Sequence, residues 1–151
     1  MPILTKKAQI GNYQVIFPIK DSTYAETYRV KDASGKTYFM KLFNYAKLHR
    51  SQFDEDGNIL EITISKAIKH PNILSLHDSG DIILNNLRFA FAIYDFVSGE
   101  TVAEKISREQ SCSVYDAKQI VLGILNGLKY LHSLQIPVIH NEVTIQNVML
   151  D

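Results

Sequence analysis

His140-Asn141-Glu142-Val143-Thr144-Ile145-Gln146-Asn147 lies four residues short of the end of the sequence. It places a histidine, an acid two residues later and an asparagine five residues after the acid in one compact polar loop. Val138-Ile139 on one side and Val148-Met149-Leu150 on the other are apolar. Buried apolar flanks fix a loop of this kind and leave its polar groups free to do chemistry. A bland polar turn between two short strands would carry the same pattern, so the rest of the chain has to separate the two readings.

The chain has 151 residues, 46% of them apolar, and sixteen basic residues balance sixteen acidic ones. That length supports one domain with a real core, and that apolar fraction marks a folding chain. A net charge of zero points to neither a nucleic-acid nor a membrane-surface partner. The longest clean apolar run, Phe89 to Tyr94, is far too short to span a bilayer. The opening Met1-Pro2-Ile3-Leu4-Thr5-Lys6-Lys7 lacks a signal-peptide pattern. Cys112 is the only cysteine, which leaves no intrachain disulfide and no cysteine-based metal site. A cytoplasmic, reducing setting is expected.

Tyr13, Val15, Phe17 and Ile19 alternate at strand period, with Pro18 placing that strand at an edge or near its end. Lys20 to Thr23 reads as a turn and Tyr24 to Val30 as a second strand. Asp32-Ala33-Ser34-Gly35-Lys36 reads as a hairpin connection. Thr37 to Phe43 is a third, aromatic-rich strand. After a polar stretch from Asn44 to Asp56, residues 58–69 carry a helical pattern with Ile59, Leu60, Ile62, Ile64, Ala67 and Ile68 on one broad face, stopped before Pro71. Ile73 to Leu76 and Gly80 to Leu84 predict a strand with an irregular middle. Asn85-Asn86 predicts a tight turn, and Leu87 to Tyr94 a strong strand. Beyond Gly99 everything reads as helix: a capping box at Thr101-Val102-Ala103-Glu104, then a long helix capped by Ser113 and running to about Leu134. A β-rich half, a hinge and a helical half predict an α+β chain with two lobes.

Two charges stand out. Lys41 sits mid-strand between Met40 and Leu42, although lysine is depleted in strands and costly on a buried face. It fits either the solvent face of an edge strand or a cation aimed into a cleft at an anion. Glu61 is one of the few charges on its helix. It fits either a solvated position or a partner for Lys41 that keeps the lysine protonated and fixed.

With these pieces in order, the chain resembles the eukaryotic-type protein kinases from the N-terminal lobe through the catalytic loop, over about residues 11 to 151. Tyr38-Phe39-Met40-Lys41 is similar to the family's Val-Ala-Ile-Lys strand. Glu61, nine residues before His70-Pro71-Asn72-Ile73, is similar to the helix glutamate followed by His-Pro-Asn-Ile. Phe91 to Gly99 looks like the fifth strand and hinge, Gly127-Leu128-Lys129-Tyr130-Leu131-His132 like Gly-Leu-x-Tyr-Leu-His, and Val138 to Asp151 like the catalytic loop. The resemblance implies an N-lobe over 11–95 (a five-stranded antiparallel sheet plus one helix), a hinge over 96–100 and a partial C-lobe over 101–151, with a tail over 1–10. It implies transfer of the γ-phosphoryl group of ATP, with Mg2+, to a protein hydroxyl, serine or threonine before tyrosine. Such chemistry needs positioning and charge neutralisation more than covalent steps. Lys41 would hold the α- and β-phosphates and Glu61 would hold Lys41. The Asp95 carbonyl and Val97 amide would meet the adenine edge, with Tyr94 as gatekeeper and Val30, Phe39 and Ile73 as apolar walls. Glu142 would accept the hydroxyl proton, Asn147 would bind magnesium and His140 would brace the loop.

The departures bear on activity. The phosphate-covering loop should read Gly-x-Gly-x-x-Gly, whereas Lys20-Asp21-Ser22-Thr23-Tyr24-Ala25 fills the slot with Lys20, Ser22 and Ala25 in the glycine places. Glycine lets backbone approach phosphates closely; Lys20 brings charge instead. Glu142 replaces the catalytic aspartate and is one methylene longer, and small misplacements cost rate. Asn141 replaces the arginine that reads activation-loop phosphorylation, and Thr144 replaces a lysine, which leaves acceptor specificity open. A pseudokinase that keeps the fold as a binding module is therefore the alternative, and a small-molecule phosphotransferase of similar fold a third. The family's Asp-Phe-Gly motif and remaining helices would follow Asp151, so the sequence reads as a fragment, inactive alone. The apolar face of the long helix would then invite homodimerisation.

Overall fold

The computed structural model describes residues 2–151. These fall into two compact units, one reaching to Ile68 and taking in Ser75–Phe96, the other formed by Lys69–Leu74 and Val97–Asp151.

The first unit is an antiparallel sheet of β1 (Gln9–Ile10), β2 (Tyr13–Asp21), β3 (Ala25–Lys31), β4 (Thr37–Asn44), β5 (Leu76–Leu84) and β6 (Leu87–Asp95), with α1 (Leu60–Ala67) between β4 and β5. The spatial order is β1-β2-β3-β4-β6-β5. The α+β expectation holds, and the sheet gains a sixth, two-residue strand, β1, at its rim. β1 covers only the start of β2, pairing Gln9 and Ile10 with Gln14 and Tyr13. Past residue 15 β2 is an edge, where Pro18 removes no ladder bond, and its pairing with β3 slips between Val15 and Phe17 and again between Pro18 and Lys20. Asn85 and Asn86 both take positive φ, 49° and 63°, the two-residue turn whose twist suits a hairpin and which asparagine tolerates.

Strand alternation sorts the sheet into two faces. Tyr38, Met40 and Leu42 of β4 and Phe89, Phe91 and Ile93 of β6 join Tyr13, Val15, Tyr28 and Val30 in one cluster. Phe43, Ala90 and Ala92 join Ile59 and Ile62 in the other, with Tyr94 packed against it. Within α1, Leu60 and Ala67 are exposed and only Ile62 is buried, because a helix of eight residues packs a narrow stripe. Residues 69–74 are not strand: β5 begins at Leu76 and carries its irregularity between Leu76 and Asp78.

The first cluster is closed by the segment before β1. Leu4 is buried, its amide donates to the Tyr28 hydroxyl at 3.0 Å, and the Ile3 amide donates to Glu26 Oε2 at 2.9 Å. Glu26 is itself buried and accepts from the Tyr28 hydroxyl. A buried carboxylate persists only when its oxygens are hydrogen-bonded, and here the chain's own backbone supplies part of that.

The second unit contains α2 (Val102–Glu109), α3 (Val114–Ser133) and the short pair β7 (Glu100–Thr101) and β8 (Met149–Leu150). The capping box forms as expected: Thr101 Oγ1 accepts from the Glu104 amide and Glu104 returns to the Thr101 amide. Ser113 accepts from the Asp116 amide. Residues 69–74 lie along α3, where the His70 ring stacks on Tyr130 at 4.9 Å and the Lys69 amide donates to the Tyr130 hydroxyl. A Cβ on Gly127 would sit 3.4 Å from the Asn72 carbonyl oxygen, so the small residue lets the segment lie close. Along α3 only Gly127 and Leu131 are buried, and Leu125 is 53% exposed. No helix among the described residues is long and apolar enough to cross a membrane.

Candidate functional site

β4 lies between β3 and β6, so Lys41 is on an interior strand and not at an edge. Its neighbours Met40 and Leu42 are buried in the first cluster, which turns Lys41 to the face carrying α1. There Nζ donates to both carboxylate oxygens of Glu61, at 2.8 and 2.7 Å. The helix is short, but Glu61 stands in its first turn, where a carboxylate is favoured by the unpaired amides. The pair is partly open, with side-chain exposures of 28% for Lys41 and 42% for Glu61. A cation that is fixed yet reached by solvent can receive a second anion.

Tyr94 joins this pair. Its hydroxyl lies 3.5 Å from Glu61 Oε1 and 3.3 Å from Ser65 Oγ. Burial, reinforced by the charge on Glu61, pushes the phenol well above its usual range, so it stays protonated and able to donate. Ser65 is one helical turn beyond Glu61, which is how both reach the same phenol. That spacing was visible in the sequence, but the phenol's part in it was not.

The other residues singled out above divide by face. Thr27 is paired with Lys41 on one side and with Lys20 on the other, and directly paired residues share a face. Lys20, Thr27 and Lys41 thus form a row across β2, β3 and β4. Phe39 is two residues from Lys41 on the same face. Val30 is not: it is fully buried in the first cluster, on the opposite side of the sheet, and so cannot wall a site at Lys41. Thr27 and Arg29 take its place on β3, since they alternate with it.

Ser22 and Ala25 close the turn between β2 and β3. The Ser22 amide donates to the Ala25 carbonyl at 2.9 Å and its hydroxyl to the same oxygen at 2.7 Å. No residue of this turn takes positive φ, so the turn forms without glycine. Asp95 ends β6 opposite Tyr38. Val97 falls in the second unit, as does Ile73, which a Cβ on Gly127 would meet at 3.5 Å.

In the second unit the polar loop is held by its own atoms. The Glu142 amide donates to His140 Nδ1 at 3.3 Å, and Asn147 Nδ2 donates to the Glu142 carbonyl at 3.0 Å. With its amide nitrogen used, Asn147 keeps its carbonyl oxygen for another partner. Asn141 takes φ 62°, a left-handed conformation that asparagine adopts more readily than most residues. The loop is tied to α2 by hydrogen bonds from the Ala103 amide to the Ile145 carbonyl and from Val102 to Val148. His140, Glu142 and Asn147 are all exposed. Gly99 was not singled out, yet a Cβ there would land on the Leu150 carbonyl oxygen, so only glycine permits the β7–β8 pairing that follows the loop.

A hard divalent cation takes oxygen ligands, often one or two from the protein with the remainder from phosphates and water. The Asn147 carbonyl oxygen fits one such place. Among the described residues no cluster of three or more His, Cys, Asp or Glu forms a self-contained metal site.

The family model for the protein kinase domain matches residues 14–151. CBL-interacting protein kinase 8 of Oryza sativa subsp. japonica is 26% identical over 144 residues, which cover 95% of this chain and 31% of that protein. The chain therefore spans less than a third of that relative's length.

Proposed function

The chain belongs to the protein kinase domain family, and on that premise we propose that it carries the ATP-binding and catalytic-loop portion of an enzyme that phosphorylates protein hydroxyls, serine or threonine before tyrosine. The observation that carries the reading is the grip of Glu61 on Lys41 from the middle of the sheet. Lys41 neutralises the nucleotide's α- and β-phosphates, Glu61 keeps its ammonium in place, and Tyr94 holds Glu61. Lys20 and Thr27, in the same row, face the phosphate chain. In the loop, Glu142 takes the acceptor's proton, His140 fixes the Glu142 amide, and Asn147 offers its carbonyl oxygen to magnesium. That ion would neutralise charge on the transferring phosphoryl group.

Radiolabelled transfer from ATP to a generic protein substrate by the intact protein tests this. Activity that vanishes in Glu142→Gln supports the reading; transfer unchanged in both Glu142→Gln and Lys41→Met refutes it.

A second reading, a pseudokinase that binds without turning over, is favoured by the β2–β3 turn. Its Ser22 amide is spent on the Ala25 carbonyl instead of standing free for phosphate. Stabilisation by Mg-ATP without any transfer would decide for it.

A further inference from the structure

Four side chains on the Lys41 face of the sheet form a continuous stack. The Phe39 and Phe96 ring centroids are 4.8 Å apart at 47°. The Arg29 guanidinium lies 4.4 Å over the Phe96 ring and 5.8 Å from the Phe17 ring centroid. Arg29 is paired with Phe17 on β2 and with Phe39 on β4, so the ladder sets these three in one row, and Phe96, just past the end of β6, packs against Phe39 and Arg29. A separation of 4.8 Å is direct contact for two aromatic rings, and no flat ring fits between them. Arg29 Nε is buried without a hydrogen-bond partner, and the guanidinium carbon lies over the Phe96 face.

Phe39 is paired with Tyr94, the residue before Asp95. A base whose edge met the Asp95 backbone would therefore lie against Phe39. We propose that Phe39, wedged on Phe96 and backed by Arg29, is a plug in the base site: the chain admits a polyphosphate at Lys41 but holds the base out. This rests on the nucleotide reading given above and adds a selectivity opposite to the one expected of an ATP site. Lys41 lies two residues along the same face and is untouched by the stack, so the phosphate end stays open while the base end is filled. Alanine, the residue that the similar kinase strand carries at this place, would end at Cβ and leave the volume of the ring to a ligand.

The test is calorimetric titration of the protein, Phe39→Ala, Phe96→Ala and Lys41→Met with Mg-ATP and with inorganic triphosphate, which has no base. Circular dichroism verifies folding, and Phe39→Val replaces Phe39→Ala if the latter loses native signal. The plug predicts that the unaltered protein binds the two ligands within threefold of each other. Either Phe39 variant should gain at least tenfold for ATP and nothing for triphosphate, with a smaller gain for Phe96→Ala. An unaltered protein that prefers ATP tenfold, or a Phe39 variant that loses ATP affinity, overturns the plug and leaves the nucleotide reading intact. Failure of every folded variant to bind either ligand refutes the nucleotide reading, and the plug with it.

Discussion

Replacing Glu61 with glutamine separates what the Lys41–Glu61 pair does for the fold from what it does for a ligand. The two contacts, at 2.8 and 2.7 Å, are short, but both side chains keep solvent access, 28% and 42%. Ion pairs so exposed contribute about 0.2–1 kcal/mol. Glutamine leaves one carbonyl oxygen for Lys41 and has nearly the helix propensity of glutamate. The melting temperature should therefore fall by no more than about 2–4 °C, the shift that about 1 kcal/mol produces in a domain of this size. Ligand binding should suffer more. Held by one neutral oxygen in place of two charged ones, the lysine regains side-chain freedom worth up to about 2 kcal/mol, and a phosphate must freeze it again. Every 1.4 kcal/mol is tenfold in affinity, so Mg-triphosphate should bind roughly 30-fold more weakly. Differential scanning fluorimetry and isothermal titration measure the two quantities on one preparation. A fall in melting temperature beyond about 10 °C would mean that the pair is a structural brace, and unchanged triphosphate affinity would mean that Lys41 does not receive the phosphates.

Other changes follow from the same geometry. Met40 is fully buried, and Met40→Ala should cost about 2–5 kcal/mol, read by urea denaturation, whereas Leu125→Ala at the 53% exposed α3 face should change stability by less than about 1 kcal/mol. Gly99→Ala should force β7 from β8, because its Cβ meets the Leu150 carbonyl; protection from hydrogen exchange of the Val102 amide, which donates to the Val148 carbonyl beside that pair, should drop while that of β4 and β6 stays. Tyr13 gives a pH signature. Burial, with its hydrogen bond to Asp78, pushes its phenol from 10.0 up to about 12. A group with a raised folded value contributes stability that is full below pH 10 and is lost as pH climbs towards 12. Tyr13→Phe should remove that share, so the variant's stability should fall less steeply over that window.

Much of the architecture was legible because it rests on period. Tyr38, Met40 and Leu42 alternate with Phe39, Lys41 and Phe43, and the structure sorts them to opposite faces as strand geometry demands. Thr101 and Ser113 announce their helices through side chains that reach only three residues. Where the reading fell short, the cause was register or distance. The resemblance implies Val30 as a wall, but Thr27 and Val30 are an odd number of residues apart, so only one of them can share the Lys41 face. Which one does so depends on pairing across β3 and β4, which composition does not encode. The amides of Ile3 and Leu4 find partners 23 and 24 residues away, and no local pattern marks such contacts. The glycine-free turn looked like a defect in a phosphate loop. It is a self-sufficient turn, closed by Ser22, that has no need of the left-handed backbone only glycine adopts freely.

Nucleotide binding as proposed requires the ammonium of Lys41 to receive phosphate. Lysine acylation read by mass spectrometry, with and without saturating Mg-triphosphate, measures this at the residue itself. Lys41 should be shielded several-fold by the ligand, while a lysine far from it on an exposed strand end, such as Lys31, reacts at an unchanged rate. Equal labelling of Lys41 in both conditions, with bound triphosphate demonstrated in the same sample, would contradict it.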